Sequence, residues 1–144
     1  MTNFITDKDE EERRLKALAE YRILGTEPES CYDDITQIAA RTCHVPISLM
    51  TLVDKDRQWF KSKVGFQTSE TRRDWSFCTH AIKENYPLIV NDAYQDKRFI
   101  NNPLVTGEPK IRFYAGFPLK NNEGNKLGTL CVIDRKPGSL DEEQ

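Results

Sequence analysis

The chain has 144 residues, 38% hydrophobic and 31% charged, which is the composition of a folded domain rather than a disordered segment. Its formal net charge of -2 provides no global field that would attract nucleic acid or an anionic membrane. We find no apolar stretch near the roughly 20 residues that cross a bilayer, and no apolar core of a secretory signal. The cysteines are widely spaced, without the spacing of a metal site, and we expect no metal and a reducing, cytoplasmic setting. These cysteines are Cys31, Cys43, Cys78 and Cys131.

Two helices are predicted at the start of the chain. The first spans 7–24, with a capping box at Thr6 and Asp9 and a glycine stop at Gly25. The second begins near Asp33 or Asp34 and ends before Pro46. Helical spacing gives each of them one apolar face, which we expect to cover a sheet. The two faces are formed by Leu15, Leu18, Ala19 and Ile23, and by Ile35, Ile38, Ala39 and Cys43.

Five strands follow from the apolar segments that turn residues separate. Residues 47–53 are almost all apolar, so this strand is predicted to be buried on both faces. Residues 57–65 return as a hairpin, 67–73 form a polar loop, and further strands lie at 88–91, 111–119 and 127–134. A third helix is predicted from its cap at Ser76 through Asn85. The long segment 92–109 is predicted to hold a helical turn near 97–99 and, by its length, is expected to be functional or mobile.

The end of the chain carries a second capping box. Ser139 and Glu142 predict the start of a linker helix over 139–144, which is too short to persist by itself. We therefore expect the natural polypeptide to continue. Residues 1–144 are predicted to form a single domain near the start of something larger.

Four strings along the chain resemble the GAF domain family. They are SLMTLVDKDRQWFKS (48–62), DWSFCTHAI (74–82), DKRFINNPLVTGEPKIRFYAGFPL (96–119) and LGTLCVID (127–134). The branch they resemble occurs N-terminally in bacterial sensor histidine kinases, which belong to two-component systems, and in diguanylate cyclases.

The resemblance implies an α+β, profilin-like fold with a five-stranded, mostly antiparallel sheet of order 2-1-5-4-3. One face carries the N-terminal helices, through which members often form a homodimer. The other face holds a small-molecule pocket beneath the short third helix and the long loop. The resemblance also implies a signal transduction sensor that has no enzymatic activity of its own.

The cofactor stays unknown, because the chain departs from the well-defined ligand classes of the family. Members that bind cyclic nucleotides carry N-K-x-F-x-x-x-D-E, and here Lys97 and Phe99 are kept but Pro103 and Leu104 replace the acidic pair. Members that bind bilins covalently carry Cys directly before His in a helix, whereas Thr79 separates Cys78 from His80. Both ligand classes are therefore disfavoured.

Nine residues are predicted to line the pocket, and three of them carry the sharpest chemistry. Cys78 lies in the first turn of a predicted helix, whose dipole lowers a thiol pKa, so it is a candidate redox sensor or, alternatively, a small core residue. Arg112 and Tyr114 alternate with apolar residues and face either the pocket or solvent. The nine are Trp59, Trp75, Phe77, Cys78, His80, Phe99, Arg112, Tyr114 and Cys131.

Three hypotheses for function follow. The first is a sensory domain that binds an unknown small molecule and signals through its terminal helices. The second is a ligand-free module that dimerises through its first helix, and the third is a redox sensor built on Cys78. No arrangement of residues in the sequence argues for catalysis, nucleic-acid binding or membrane contact by this domain.

Overall fold

The computed structural model describes residues 7–84 and 86–144, and in them six strands form one antiparallel sheet. The strand order is β3-β2-β1-β6-β5-β4. The strands are β1 (Ile47–Val53), β2 (Arg57–Val64), β3 (Glu70–Arg72), β4 (Leu88–Val90), β5 (Phe113–Lys120) and β6 (Lys126–Asp134). The helices are α1 (Asp7–Glu20), α2 (Ser30–Cys43), α3 (Phe77–Ala81) and α4 (Pro103–Thr106), with single 3-10 turns at Arg73–Trp75 and Ala93–Gln95.

The prediction of a five-stranded sheet is wrong, because the short strand β3 is added at one edge. Residues 70–72 lie in the segment predicted as a polar loop, yet they pair with Arg57–Trp59 of β2. Their polar composition reflects an edge position that stays partly exposed, which hydrophobic patterning does not detect. The sheet therefore contains six strands. The fourth predicted strand also begins later, at Phe113 instead of residue 111.

The sheet is covered on both faces, as the apolar composition of the strand at 47–53 predicted. All seven residues of β1 are buried. Ile47, Leu49 and Val53 belong to the core beneath α3, while Leu52 packs on the other face with Leu18 of α1. Because both faces of the central strands are dry, these strands need no alternation of apolar and polar residues.

The first helix ends at Glu20, earlier than predicted, and its proposed cap at Thr6 lies outside the described residues. Arg22 has a positive φ of 51° directly after the helix, so the backbone has already left the helical conformation before Gly25. Leu18 is buried as predicted, whereas Ala19 is exposed.

The apolar stripe predicted for the second helix is wrong in part, because the helix is rotated. Thr36 and Ala40 are its buried residues, and Ile35 and Ile38 are exposed. The Thr36 hydroxyl donates to the Asp33 carbonyl at 3.0 Å and lies 2.8 Å from Ser62 Oγ of β2. Because its hydroxyl is hydrogen-bonded, this threonine is buried without the free-energy cost of an unsatisfied polar group.

The third helix is short. Ser76 caps it as predicted, accepting a hydrogen bond from the Thr79 amide at 3.2 Å, but the helix ends at Ala81. The predicted end at Asn85 lies outside the described residues. The helical turn predicted near 97–99 is present, since the amides of Phe99 and Ile100 both donate to the Asp96 carbonyl at 3.0 Å, and it lies between the 3-10 turn at Ala93–Gln95 and α4. The Asn102 side chain caps α4, and its amide donates to the Trp75 carbonyl at 2.9 Å, which ties the long segment to the 3-10 turn before α3.

Residues 139–144 form a turn instead of the predicted helical start. Asp141 accepts hydrogen bonds from the amides of Glu143 and Gln144, and the Gln144 side chain donates to the Thr42 carbonyl. Leu140 packs against the core under α2. Across the described ranges, no helix is both long and apolar enough to span a membrane.

Candidate functional site

A small internal cavity of about 20 Å³ lies between the sheet and α3. Its walls are mostly apolar and include Leu49, Phe60, Phe77, Leu104, Ile111 and Ile133. This volume has room for roughly one water molecule. As it stands, the cavity is far below the roughly 300 Å³ at which small-molecule sites begin.

An open groove of about 480 Å³ lies outside this cavity, along the edge strand β3. Phe66, Thr71 and Leu104 line both the groove and the cavity, so these three side chains form the boundary between them. The remaining groove wall combines one indole ring and one threonine with five charged side chains. It consists of Asp56, Arg57, Thr68, Glu70, Arg72, Trp75 and Glu108.

A cluster of buried polar side chains lies at the inner end of the cavity. Cys78 Sγ lies 3.1 Å from the Tyr114 hydroxyl and 3.0 Å from Thr129 Oγ1. Thr129 Oγ1 in turn lies 3.0 Å from Thr51 Oγ1 on the neighbouring strand. Cys78 is 3% exposed and Cys131 is fully buried, so the cluster is sealed from solvent. Three adjacent strands and α3 each contribute to it.

These contacts shift the pKa values of the Cys78 and Cys131 thiols in opposite directions. Burial raises the pKa of Cys78, but hydrogen bonds from Cys131, Thr129, Thr51 and Tyr114 outweigh it and hold the pKa below its ordinary value. The pKa of Cys131 is raised, first by its hydrogen bond to Cys78 and then by burial. A helix of five residues has little dipole, so side-chain donors produce the low thiol pKa predicted for Cys78.

Stacked rings support the cavity wall from behind. Phe77 and Phe99 are stacked with ring centroids 4.0 Å apart, and His80 meets the edge of Phe99 at 4.9 Å. Burial, followed by the positive charges of Lys83 and Arg98, lowers the pKa of His80. His80 therefore lies beside the wall as a neutral aromatic side chain at neutral pH.

Gln58 joins the three elements that frame the groove and the cavity. Its buried amide donates to Thr71 Oγ1 of β3 at 2.6 Å, and its carbonyl oxygen accepts from Ser76 Oγ at 2.7 Å. Ser76 is also the cap of α3. A displacement of β3 is thereby linked to the start of the helix that carries Cys78.

The structure brings together four of the nine predicted site residues and separates the rest. Phe77, Cys78, Tyr114 and Cys131 line the internal cavity. Trp75 lines the groove, and Phe99 and His80 pack behind Phe77.

Trp59 and Arg112 lie away from both spaces. Trp59 belongs to the core beneath α1, on the opposite face of the sheet. Arg112 forms a bidentate ion pair with Asp92 at 2.8 and 2.9 Å and lies 3.7 Å from the Tyr94 ring centroid.

The sequence analysis missed the residues that strands β2 and β3 bring to the site. Gln58 precedes Trp59 in β2, so its side chain points to the opposite face of the sheet. The alternation of side chains along the strand at 57–65 predicts this as soon as Trp59 has been assigned to one face. Thr71 lies in the segment 67–73, which the sequence predicts to be a polar loop. Phe66 and Leu104 carried no chemical signal, because an apolar side chain at a boundary resembles any core residue.

The cavity wall is not wholly apolar. The cavity offers two thiols, a phenol and the Gln58 amide as hydrogen-bonding groups within an apolar wall. Within the described ranges, no group of three or more His, Cys, Asp or Glu side chains is placed to hold a metal ion. The arginines of the groove are already paired, since Arg72 binds Asp74 at 2.7 Å and Arg57 binds Glu70 at 3.3 Å.

One family model matches most of the chain. The GAF domain family matches residues 27–144. A cyclic di-GMP phosphodiesterase of Pseudomonas aeruginosa is 40% identical over 129 residues, which are 90% of this chain. The chain spans only 22% of the length of that relative.

Solved structures of low sequence identity share the fold. The GAF domain of an Acinetobacter phosphoenolpyruvate-protein phosphotransferase aligns with a TM-score of 0.62 at 15% identity, covering 99% of this chain and 84% of that one. A free methionine-R-sulfoxide reductase of Thermoplasma acidophilum aligns with a TM-score of 0.64 at 14% identity, covering 88% of this chain and 83% of that one. Such distant matches establish the fold alone.

Proposed function

The chain belongs to the GAF domain family, and from this we propose that it is a sensory domain that binds a small molecule at the groove beside β3. The proposal rests on the boundary that the groove shares with the internal cavity. Phe66, Thr71 and Leu104 line both the groove and the cavity, so a ligand seated in the groove touches the side chains that close the core. The groove has the volume of an ordinary ligand site.

The small volume of the cavity decides how the ligand binds. At about 20 Å³ the cavity excludes any ligand from the core of the closed form. A ligand group enters it only after Leu104 or Phe66 moves, so binding favours a second packing of α4 and the adjoining loop. The ligand that fits has an apolar or aromatic part beside Trp75 and Phe66 and a small polar end directed toward Cys78 and Tyr114. Cyclic nucleotides and covalently held bilins remain disfavoured.

The signal is proposed to leave through α1. Arg73 lies between the groove residues Arg72 and Trp75, and its guanidinium binds the Glu11 carboxylate of α1. A ligand that moves the segment 72–75 therefore changes the attachment of the first helix. Coupling of this kind requires two packings of the domain whose balance is shifted both at the groove and at α1.

The regulated activity is proposed to belong to another domain of a longer bacterial signalling protein in the cytoplasm. A histidine kinase and a diguanylate cyclase are the outputs that the sequence favoured. The Pseudomonas relative, named as a cyclic di-GMP phosphodiesterase, adds turnover of that dinucleotide as an output. The GAF domain itself is proposed to perform no chemistry.

A thermal-shift screen with a blocking variant tests the site. The probes are nucleotides, free amino acids, haem and bilins, because a ligand that binds the folded state raises the unfolding temperature. A compound that stabilises the natural chain should lose its effect in Leu104→Trp, whose indole fills the boundary. Thr106→Trp, an exposed position on the same helix, should keep the effect. Stabilisation that survives Leu104→Trp would place the ligand elsewhere.

The thiol pair supports a second candidate, a redox sensor. Cys78 and Cys131 are both buried in the wall of the same small cavity, and two-electron oxidation of these two thiols by a peroxide would form one disulfide and release two waters. Mild peroxide treatment followed by mass spectrometry should then show a loss of two hydrogens confined to these residues. Unmodified Cys78 under conditions that oxidise the exposed Cys31 would dispose of this candidate.

A further inference from the structure

The outer edge of β3 carries backbone groups that no other described part of the chain binds. On its inner side, the Phe60 amide of β2 donates to the Ser69 carbonyl at 3.0 Å, directly before β3 begins. Successive residues of a strand direct their backbone groups to opposite sides, so residues 69 and 71 bond toward β2. The amides and carbonyls of Glu70 and Arg72 therefore point away from the sheet, and none of these four groups has a hydrogen-bond partner among the described residues.

The open groove runs along this edge and provides a place for an apolar side chain. Glu70 and Arg72 both line the groove, and its apolar wall is formed by Trp75, Phe66 and Leu104. A segment that paired with the edge of β3 would direct its side chains alternately to the two faces of the sheet. Every second side chain of such a segment would reach the apolar wall.

The charges of the groove favour a positively charged ligand. Both arginines of its wall are already paired with carboxylates of the chain. Asp56 and Glu108 also line the groove and are exposed, and neither forms an ion pair with another described residue. An ammonium or guanidinium group in the groove therefore meets two carboxylates, whereas the phosphate of a nucleotide meets only arginines that are already bound.

We propose that the small molecule of the proposed function is a short free peptide, which adds to the edge of β3 as an extended strand. This inference rests on the proposed function, because it takes the groove as the ligand site. The peptide backbone bonds the outward amides and carbonyls of Glu70 and Arg72, which lie about 7 Å apart along the strand. One aromatic or aliphatic side chain of the peptide packs beside Trp75, and its positive charge faces the two unpaired carboxylates.

Titration calorimetry with synthetic tetrapeptides tests the ligand class. The probes have free termini and combine one phenylalanine or leucine with one lysine. At least one of them should bind the natural chain, and methylation of its backbone nitrogens should weaken binding by at least about tenfold, because the outward carbonyls of β3 lose their donors. Glutamate in place of the lysine should weaken binding by at least about threefold. Binding of none of these probes, or equal binding of the methylated or the glutamate peptide, overturns the inference.

The variant Arg72→Pro removes one edge donor and leaves the pairing of β3 with β2 in place. Arg72 has a φ of -63° and a ψ of 140°, which proline adopts, and the amide that is lost points away from the sheet. The matched control is Arg72→Ala, which loses the same guanidinium and keeps the amide. Peptide affinity should be at least about fivefold lower in Arg72→Pro than in Arg72→Ala, and equal affinity overturns the strand addition. Circular dichroism checks that both variants fold, and the methylated peptides test the same pairing on the natural chain.

Failure of this inference can be told apart from failure of the proposed function. A compound of another class that stabilises the natural chain and loses its effect in Leu104→Trp, while no peptide binds, keeps the groove as the ligand site and overturns the peptide alone. Peptide binding that survives Leu104→Trp unchanged would place the peptide away from the groove and overturn both.

Discussion

At the scale of single residues, the chemistry of the site centres on one sulfur atom. Hydrogen-bonding groups from three strands and one thiol converge on Cys78, where the sheet and α3 meet. Burial would raise the pKa of an isolated thiol at this place. The polar cluster instead lowers the pKa of Cys78, so Cys78 ionises before Cys131 does. This suits the Cys78 thiol to hydrogen-bond a ligand or to react.

Removing one donor should show this directly. In Tyr114→Phe the phenol no longer donates to Cys78, so the pKa of Cys78 should rise, because a hydrogen bond that favours the thiolate is lost. The pH dependence of thiolate ultraviolet absorbance measures the change. Tyr94→Phe is the matched control, since that ring is exposed and packs against Arg112, which lies outside the cluster. An unchanged Cys78 titration in Tyr114→Phe would show that the phenol does not control the thiol.

At the scale of elements, polar contacts attach the first helix to the sheet. Arg14 is buried, donates to the Val53 carbonyl, and pairs with Glu11 at 2.9 Å. Glu11 also binds Arg73 on the segment that precedes α3. Burial raises the pKa of Glu11, but hydrogen bonds from Arg14 and Arg73 outweigh it and lower the pKa from 4.5 to about 2.

The sign of this shift gives a pH-dependent prediction. A carboxyl whose folded pKa lies below its unfolded value stabilises the fold above pH 4.5, and the contribution is lost as the pH falls toward 2. Glu11→Gln should therefore lower the free energy of unfolding at neutral pH by about 1 kcal/mol, reduced by the partial exposure of the pair. The difference should vanish near pH 2, as measured by denaturant unfolding at each pH. Glu12→Gln, exposed on the same helix, should show no such dependence.

The loop between the two N-terminal helices is attached by a buried lysine. Lys61 Nζ donates to Thr26 Oγ1 at 2.7 Å and to the Glu27 carbonyl at 2.6 Å, and it pairs with Glu29 at 2.6 Å. Lys61→Met should lower the free energy of unfolding by about 1 to 3 kcal/mol and increase amide exchange over residues 25–29, because all three contacts are lost. Lys63→Met, which loses contacts at the surface only, should change the stability by less than about 0.5 kcal/mol. Equal effects of the two substitutions would contradict this role.

At the scale of the whole molecule, the pairing of β1 with β6 joins the two halves of the sheet. Gly128 lies opposite Leu52 in this pairing, and a Cβ atom built on Gly128 would come within 1.8 Å of the Thr51 carbonyl oxygen. Backbone atoms at this distance cannot yield without separating the strands. The glycine is therefore required by close approach at the centre of the sheet.

Gly128→Ala should destabilise the whole domain by about 3 kcal/mol or more, because the two central strands must move apart. Gly124→Ala lies in the β5–β6 turn at a φ of +83° with open space around its Cβ, so it should cost only about 1 to 2 kcal/mol of backbone strain. Denaturant unfolding of both variants measures the difference. A Gly128→Ala chain as stable as the Gly124→Ala chain would contradict the tight pairing.

Much of the fold could be predicted from the sequence, because it depends on local patterns. The apolar segment at 47–53 required a strand with both faces covered, and Ser76 marked the start of α3. The edge strand β3 was missed, since a short polar strand at an edge has no hydrophobic signal. Ile35 and Ile38 were assigned to the core because spacing alone gives a stripe but does not say which of two stripes meets the sheet.

The amino-acid sequence by itself determined the central strands, since a buried strand follows from the residue types along one segment, and four of its strings resembled the family that the family model then showed. Only the tertiary structure decided that Cys78 and Cys131 line one buried cavity, that Trp59 and Arg112 lie elsewhere, and that Phe66, Thr71 and Leu104 separate a groove from that cavity. These facts depend on which strands become neighbours and how each helix is rotated. Such contacts join residues far apart in the chain, and no local pattern records them.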